Sequence, residues 1–173
     1  MRKLLLSAAS VGLMAAPAVA EISDGNVKIG ILNDQSGVYS DFGGKNSYEA
    51  ALMAVEDFGG TVLDAPIEVV TADHQNKPDI AASKAREWFD QQGVDMLIGG
   101  TNSGASLAMA KVAAEKKKVF ISIGAGTAQL TNEQCSPYTV HYAYDTVALA
   151  RGTGAAMLKQ GGKSWYFLTA DYA

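Results

Sequence analysis

The fold of this chain is decided by residues 96–108, Met-Leu-Ile-Gly-Gly-Thr-Asn-Ser-Gly-Ala-Ser-Leu-Ala. An apolar strand pattern ends here in small hydroxylated residues, and a helical pattern begins at once. The first N–H groups of a helix have no partner within the helix, so they bind small anions at the carboxyl end of the preceding strand. Ser103, Gly104 and Ala105 therefore predict a carboxylate site that needs no catalytic residue.

The same alternation of strand and helix patterns extends along the chain. Strands are predicted at residues 27–32, 67–72, 96–98, 119–123, 139–142 and 165–169. Helices are predicted at 47–58, between Asp79 and Gly93, at 103–115 and at 145–159. The first helix is expected to bury Ala51, Leu52, Val55 and Phe58, and the second to be capped by Asp79. Strands and helices at this spacing predict an α/β fold with a doubly wound parallel sheet, whose ligands bind at the carboxyl ends of the strands.

Residues 1–20 have the pattern of a secretory signal peptide. Arg2 and Lys3 precede an apolar stretch, and Ala18-Val19-Ala20 supplies the small residues of a cleavage site. Of the 14 basic residues these two would be removed, which leaves 12 against 18 acidic residues in an exported chain. This acidic balance argues against binding to nucleic acid or to an anionic membrane surface.

Residues that carry catalysis or hold metals are sparse. The two histidines, His74 and His141, are far apart in the sequence and have no other metal-ligating residues at a suitable spacing. No catalytic or cofactor-binding motif has the required spacing. Cys135 is expected to be a small buried thiol or to pair outside these residues, since one cysteine cannot form an internal disulfide. A hydrolase that uses Cys135 with His141 as its base stays open as an alternative. The main expectation is a binding protein with no enzyme activity, cofactor or metal.

Four segments together resemble a known family. They are residues 27–37 (Val-Lys-Ile-Gly-Ile-Leu-Asn-Asp-Gln-Ser-Gly), 39–44 (Tyr-Ser-Asp-Phe-Gly-Gly), 72–78 (Ala-Asp-His-Gln-Asn-Lys-Pro) and 135–137 (Cys-Ser-Pro). The chain is similar to the type I periplasmic substrate-binding proteins of the leucine/isoleucine/valine class. That resemblance implies two α/β lobes that close around a small ligand and deliver it to an ABC permease in the inner membrane. Residues 21–144 would form the first lobe and residues 145–173 the start of the second, so the chain is expected to be the N-terminal part of a longer protein.

The resemblance also implies where the ligand lies. Ser103 matches the serine that binds the ligand carboxylate, beside Gly104, and Ala125 matches the residue that offers a backbone carbonyl to the amino group. Thr127 lies one residue beyond the usual position of a threonine hydroxyl. Phe42 takes the place of an aromatic residue that covers the ligand.

Other positions depart from the family pattern. Tyr39 is expected to restore the phenolic hydroxyl that Phe42 lacks. Asn102 replaces a cysteine whose partner region here contains Gln75, so the usual disulfide is missing and these two side chains are expected to add hydrogen bonds. The resemblance implies a branched-chain amino acid as ligand, with amides, urea or aromatic acids as alternatives. The same fold also serves as the sensory domain of exported receptors, and that alternative stays open.

Overall fold

The computed structural model describes residue 22 and residues 24–168, so the predicted signal peptide at residues 1–20 lies outside the described residues. Six strands form one sheet in the order β2-β3-β1-β4-β5-β6. All neighbouring pairs are parallel except β2 with β3. The strands are β1 (Val27–Asn33), β2 (Thr61–Val62), β3 (Ala65–Asp73), β4 (Met96–Gly99), β5 (Val119–Ser122) and β6 (Thr139–His141).

The described residues form four α-helices, which are α1 (Asn46–Phe58), α2 (Pro78–Gln91), α3 (Ser103–Lys116) and α4 (Thr146–Lys159). The first three connect strands of the sheet, and α4 follows β6. The predicted α/β fold with a parallel sheet is confirmed, including the fifth predicted strand, β6. The short antiparallel strand β2 was not predicted. No helix in the described part of the chain combines the length and the apolar character needed to cross a membrane.

The core lies between the sheet and the helices α2 and α3. Its largest members come from both layers: Trp88 from α2, Met109 from α3, and Leu97 and Phe120 from the central strands. At Gly30 on β1 the Trp88 ring of α2 lies close against the strand, because a Cβ atom there would be 2.6 Å from Trp88 Cζ3. A larger residue at position 30 would push α2 off the sheet.

Two expectations about helices are wrong in detail. None of the residues of α1 is fully buried, and Leu52 and Phe58, which were expected to face the core, are 37% and 66% exposed. The half-buried side of α1 instead includes Ala51 and Val55, which lie four residues apart on one face. Asp79 does not cap α2: Pro78 begins that helix, as its fixed φ allows, and Asp79 lies in the first turn.

The predicted strand at residues 165–169 is also wrong over its described part. Residues 165–168 have no regular secondary structure and are exposed, with Tyr166 and Leu168 more than nine-tenths accessible. Thr169 lies outside the described residues. A parallel strand is stable only when other strands bond to its edges and helices cover its faces, and the described residues supply no such neighbours here.

Candidate functional site

The loops after β1, β4, β5 and β6 meet at the carboxyl edge of the sheet. They enclose a cleft of about 190 Å³. Its lining comprises Tyr39, Phe42, Thr101, Ser103, Gly124, Gly126 and Tyr144. Three residues singled out from the sequence, Tyr39, Phe42 and Ser103, are therefore brought together. The cleft lies where a doubly wound sheet binds its ligands, as expected.

Asp34 organises the first wall of the cleft. Its buried carboxylate accepts hydrogen bonds from the N–H of Gly37 at 2.7 Å and from the N–H of Tyr39 at 2.9 Å. Both oxygens are thereby used within the loop. This carboxylate holds the aromatic wall in place and is not presented to a ligand.

The start of α3 forms the floor of the cleft. The Asn102 side chain accepts a hydrogen bond from the N–H of Ala105 at 2.7 Å, so that N–H is not free for an anion as the sequence suggested. Ser103 and Gly104 are left as the helix residues whose N–H groups have no partner among the described atoms. Ser103 is 3% exposed and is one of the residues that line the cleft. The partial positive charge of the helix terminus favours an anion at this point.

Asn102 also connects α3 to the loop after β3. Its amide Nδ2 donates to Asn76 Oδ1 at 2.7 Å. This hydrogen bond lies where the resemblance implies a disulfide in related proteins. Gln75 does not take part: it is exposed, it has a left-handed backbone with φ of 53°, and its amide oxygen accepts from Lys77 Nζ at 3.5 Å. The structure thus places Asn102 beside the cleft and Gln75 away from it.

Ala125 and Thr127 lie in the loop after β5 but do not line the cleft. The carbonyl oxygen of Ala125 is 2.6 Å from His141 Nε2, and Ala125 is wholly buried. Thr127 caps a short 3-10 helix, because its Oγ1 accepts from the N–H of Gln129 at 3.3 Å. Both groups that the resemblance assigns to the ligand are therefore engaged within the protein.

Four lining residues were not singled out from the sequence: Thr101, Gly124, Gly126 and Tyr144. The first three follow the carboxyl ends of β4 and β5, where the fold was expected to bind its ligand, so their position after a strand was the available signal. Gly124 lies directly beside the Phe42 ring, since a Cβ there would be 2.9 Å from Phe42 Cε1, and a side chain at this position would displace that ring. Tyr144 lies between β6 and α4, and no sequence pattern marked it.

Asp73 ties the loops after β1 and β3 together. Its carboxylate accepts hydrogen bonds from the N–H of Gln35 at 2.9 Å, the hydroxyl of Ser36 at 2.6 Å and the N–H of Gln75 at 2.7 Å. Burial by itself would raise the pKa of Asp73, but these hydrogen bonds favour the charged form and hold the pKa below its ordinary value.

His74 is a buried neutral histidine. Burial lowers its pKa below the ordinary value of 6.5, against the opposing pull of the Asp34 and Asp73 charges. Its Nδ1 accepts the N–H of Asn76 at 3.1 Å, which requires that this ring nitrogen carry no proton. Within residues 24–168 no cluster of three or more histidine, cysteine or acidic residues could hold a metal ion. His74 therefore has a structural role in the loop after β3.

Cys135 is exposed, which contradicts the expectation of a buried thiol. It lies at the far end of α3 from the cleft, beside Ala110 and Ala114 in a separate depression. The thiol is therefore remote from the residues that line the candidate site.

Comparison with known proteins places the chain in a family. The sequence profile of the family described as periplasmic binding protein matches residues 26–173. The chain therefore belongs to the periplasmic binding proteins, and within them to the type I class that includes the branched-chain amino-acid binders. Proteins of this family are binding components of transporters and not enzymes. Among curated protein sequences, none matches the chain.

Three crystal structures show the likeness. A periplasmic binding protein from Burkholderia mallei is 68% identical with a TM-score of 0.82, over 86% of this chain and 40% of that protein. A branched-chain amino-acid ABC transporter ligand-binding protein from Burkholderia xenovorans is 38% identical, with a TM-score of 0.74. The match covers 81% of this chain and 37% of that protein. A solute-binding protein from Rhodopseudomonas palustris, in complex with 3,4-dihydroxybenzoic acid, is 28% identical, with a TM-score of 0.72. The match covers 80% of this chain and 37% of that protein. The chain thus spans about two fifths of the length of these relatives or less.

Proposed function

We propose that the protein is the exported, periplasmic substrate-binding component of an ABC importer, and that its cleft binds the carboxylate of a small ligand. The start of α3 is the observation that carries this proposal. There the N–H groups of Ser103 and Gly104 have no partner within the described residues, and they lie at the positive end of a helix dipole and at the floor of a cleft. Membership of the periplasmic binding protein family supports the transport role.

Binding rests on hydrogen bonds and apolar contact, with no bond made or broken. The ligand carboxylate accepts from the Ser103 hydroxyl and from the N–H groups at the start of α3, and Tyr39, Phe42 and Tyr144 cover its apolar part. The rest of the natural protein closes over the ligand about a hinge near residues 141–145. The closed form presents a different surface to the inner-membrane permease, so only the loaded protein is recognised.

Two ligand classes are supported by different observations. A branched-chain amino acid is supported by the name of the Burkholderia xenovorans relative. An aromatic acid is supported by the ligand of the Rhodopseudomonas palustris relative and by the three aromatic side chains of the cleft, which suit the faces and edges of a ring. Both classes share the carboxylate that the start of α3 is suited to bind.

The proposal is tested by thermal unfolding of the full-length natural protein with a ligand panel. The panel contains leucine, isoleucine, valine, benzoate, 3,4-dihydroxybenzoate, benzamide and urea. A ligand at 100 times its dissociation constant stabilises the folded state by about 2.7 kcal/mol, which raises the melting temperature measurably. We expect stabilisation by carboxylates alone. Stabilisation by benzamide or urea without any response to the carboxylates would contradict the proposal.

A further inference from the structure

The cleft loop after β5 is bonded to the segment that leads into α4. Gly124 and Gly126 line the cleft, and the residue between them, Ala125, is wholly buried. The Ala125 carbonyl accepts a hydrogen bond from His141 Nε2 at 2.6 Å, because a carbonyl oxygen can only accept. The Gly126 carbonyl accepts the N–H of Thr146 at 2.8 Å. Residues 124–126 are therefore bonded both to the last residue of β6 and to the first residue of α4.

These two hydrogen bonds enclose residues 142–145, which join β6 to α4. A further hydrogen bond holds the start of this segment, since the Tyr142 N–H donates to the Ser122 carbonyl at 2.8 Å. Tyr144, in the middle of the segment, lines the cleft. The Asp145 side chain at its end caps α4. One short segment thus contributes an aromatic ring to the cleft and continues directly into a capped helix.

The direction of α4 depends on this connection. None of the residues of α4 is buried. Among the described residues, no member of α4 beyond Thr146 forms a hydrogen bond to the sheet or to the other helices. The bonds between residues 124–126 and residues 141–146 therefore hold the start of this helix in place.

We infer that His141 is a positioning residue for ligand binding: with the Thr146 N–H it holds residues 124–126 against residues 141–146, so that a ligand seated on this loop also sets the direction of α4. The inference rests on the proposed function, because the loop belongs to the proposed ligand cleft and residues 141–145 to the proposed hinge. Ligand contact and hinge movement then share the same hydrogen bonds.

Loss of the His141 ring should weaken ligand binding. In His141→Ala the buried Ala125 carbonyl has no donor, and an unpaired buried polar group is costly. The loop then leaves its binding arrangement for part of the time, and the apparent affinity falls with the fraction of molecules that keep it. We expect the full-length natural protein to bind the carboxylate that stabilises it most about tenfold more weakly in calorimetric titration.

Two amide substitutions separate this role from a general effect on folding. The side-chain amide of His141→Gln reaches about as far from the backbone as Nε2 does, so the dissociation constant should stay within about threefold of the wild type. His141→Asn carries the same amide one carbon shorter and should lose as much affinity as His141→Ala. If His141→Ala does not fold, the amide pair still decides. Equal affinities in the folded amide variants, or wild-type affinity in a folded His141→Ala protein, would overturn the positioning role.

Amide hydrogen exchange tests the same connection without a ligand. In the full-length protein the N–H groups of Tyr142 and Thr146 should exchange at least about tenfold faster in His141→Ala and His141→Asn, and at nearly the wild-type rate in His141→Gln. The Asp95 N–H, which bonds to the Lys28 carbonyl at the other end of the sheet, is the control and should not change. Wild-type exchange at Thr146 in a folded His141→Ala protein would overturn the inference. If no carboxylate binds the wild type, the proposed function fails, whereas exchange at Thr146 still decides whether His141 holds the loop.

Discussion

Substitution of Ser103 by alanine should weaken ligand binding without unfolding the protein. The Ser103 side chain is nearly inaccessible to water at the floor of the cleft, so its hydroxyl bond to a carboxylate is poorly replaced by solvent. A hydrogen bond to a charged group contributes about 1.5–3 kcal/mol, which corresponds to a roughly 10- to 150-fold higher dissociation constant. Binding should persist at this reduced level, since the N–H groups of Ser103 and Gly104 remain.

Ser106→Ala provides a matched control for this experiment. Ser106 is also buried on α3, one turn further on, but it does not line the cleft, and its hydroxyl has no hydrogen-bond partner within the described residues. Calorimetric titration with the carboxylate that stabilises the wild type most should therefore give a wild-type dissociation constant for Ser106→Ala. An unchanged dissociation constant for Ser103→Ala, or an equal loss in both variants, would refute the role given to Ser103.

Three further predictions concern stability. Asn102→Ala removes the side chain that caps α3 and its hydrogen bond to Asn76, so the free energy of unfolding measured in urea should fall by about 1–2 kcal/mol. An unfolding free energy equal to that of the wild type would contradict the capping role of Asn102. The folded-state pKa of His74 is lowered, so its contribution to stability is full above pH 6.5 and is lost as the pH falls through the folded pKa. His74→Asn should keep an acceptor for the N–H of Asn76 and should make the unfolding free energy decline less steeply between about pH 7 and pH 5. An equally steep decline in the variant would show that His74 is not its source. Gly30→Ala forces a methyl group against Trp88 and should cost about 1–3 kcal/mol in urea unfolding, whereas unchanged stability would contradict the close approach of α2 to β1.

The fold was largely predictable because its local signals agree with its tertiary structure. The apolar runs that form β1, β3 and β4 pair in parallel at the centre of the sheet, and the alternating helix patterns match α2 and α3. Periodicity failed where burial depends on neighbours. Phe58 of α1 has the spacing of a core residue but is mostly exposed, and residues 165–168 have the composition of a strand without strands beside them.

The candidate site was predictable only where one segment determines it. The position of Ser103 follows from the strand-turn-helix stretch alone, because that stretch places it in the first turn of α3 at the carboxyl end of β4. The hydrogen bond between Ala125 and His141 joins the loop after β5 to β6 across 16 positions of sequence, and no local sequence pattern predicts it. Gly124 likewise gains its role from Phe42, which comes from a distant loop. Such contacts depend on the order of strands in the sheet and not on periodicity.

The most direct test of the central claim is a crystal structure of the full-length natural protein with the carboxylate that stabilises it most. The account predicts that one carboxylate oxygen lies about 2.6–3.0 Å from Ser103 Oγ and faces the N–H of Gly104, with the apolar part of the ligand against Phe42. A ligand whose carboxylate lies more than about 4 Å from Ser103, or which presents a neutral group to the start of α3, would contradict it.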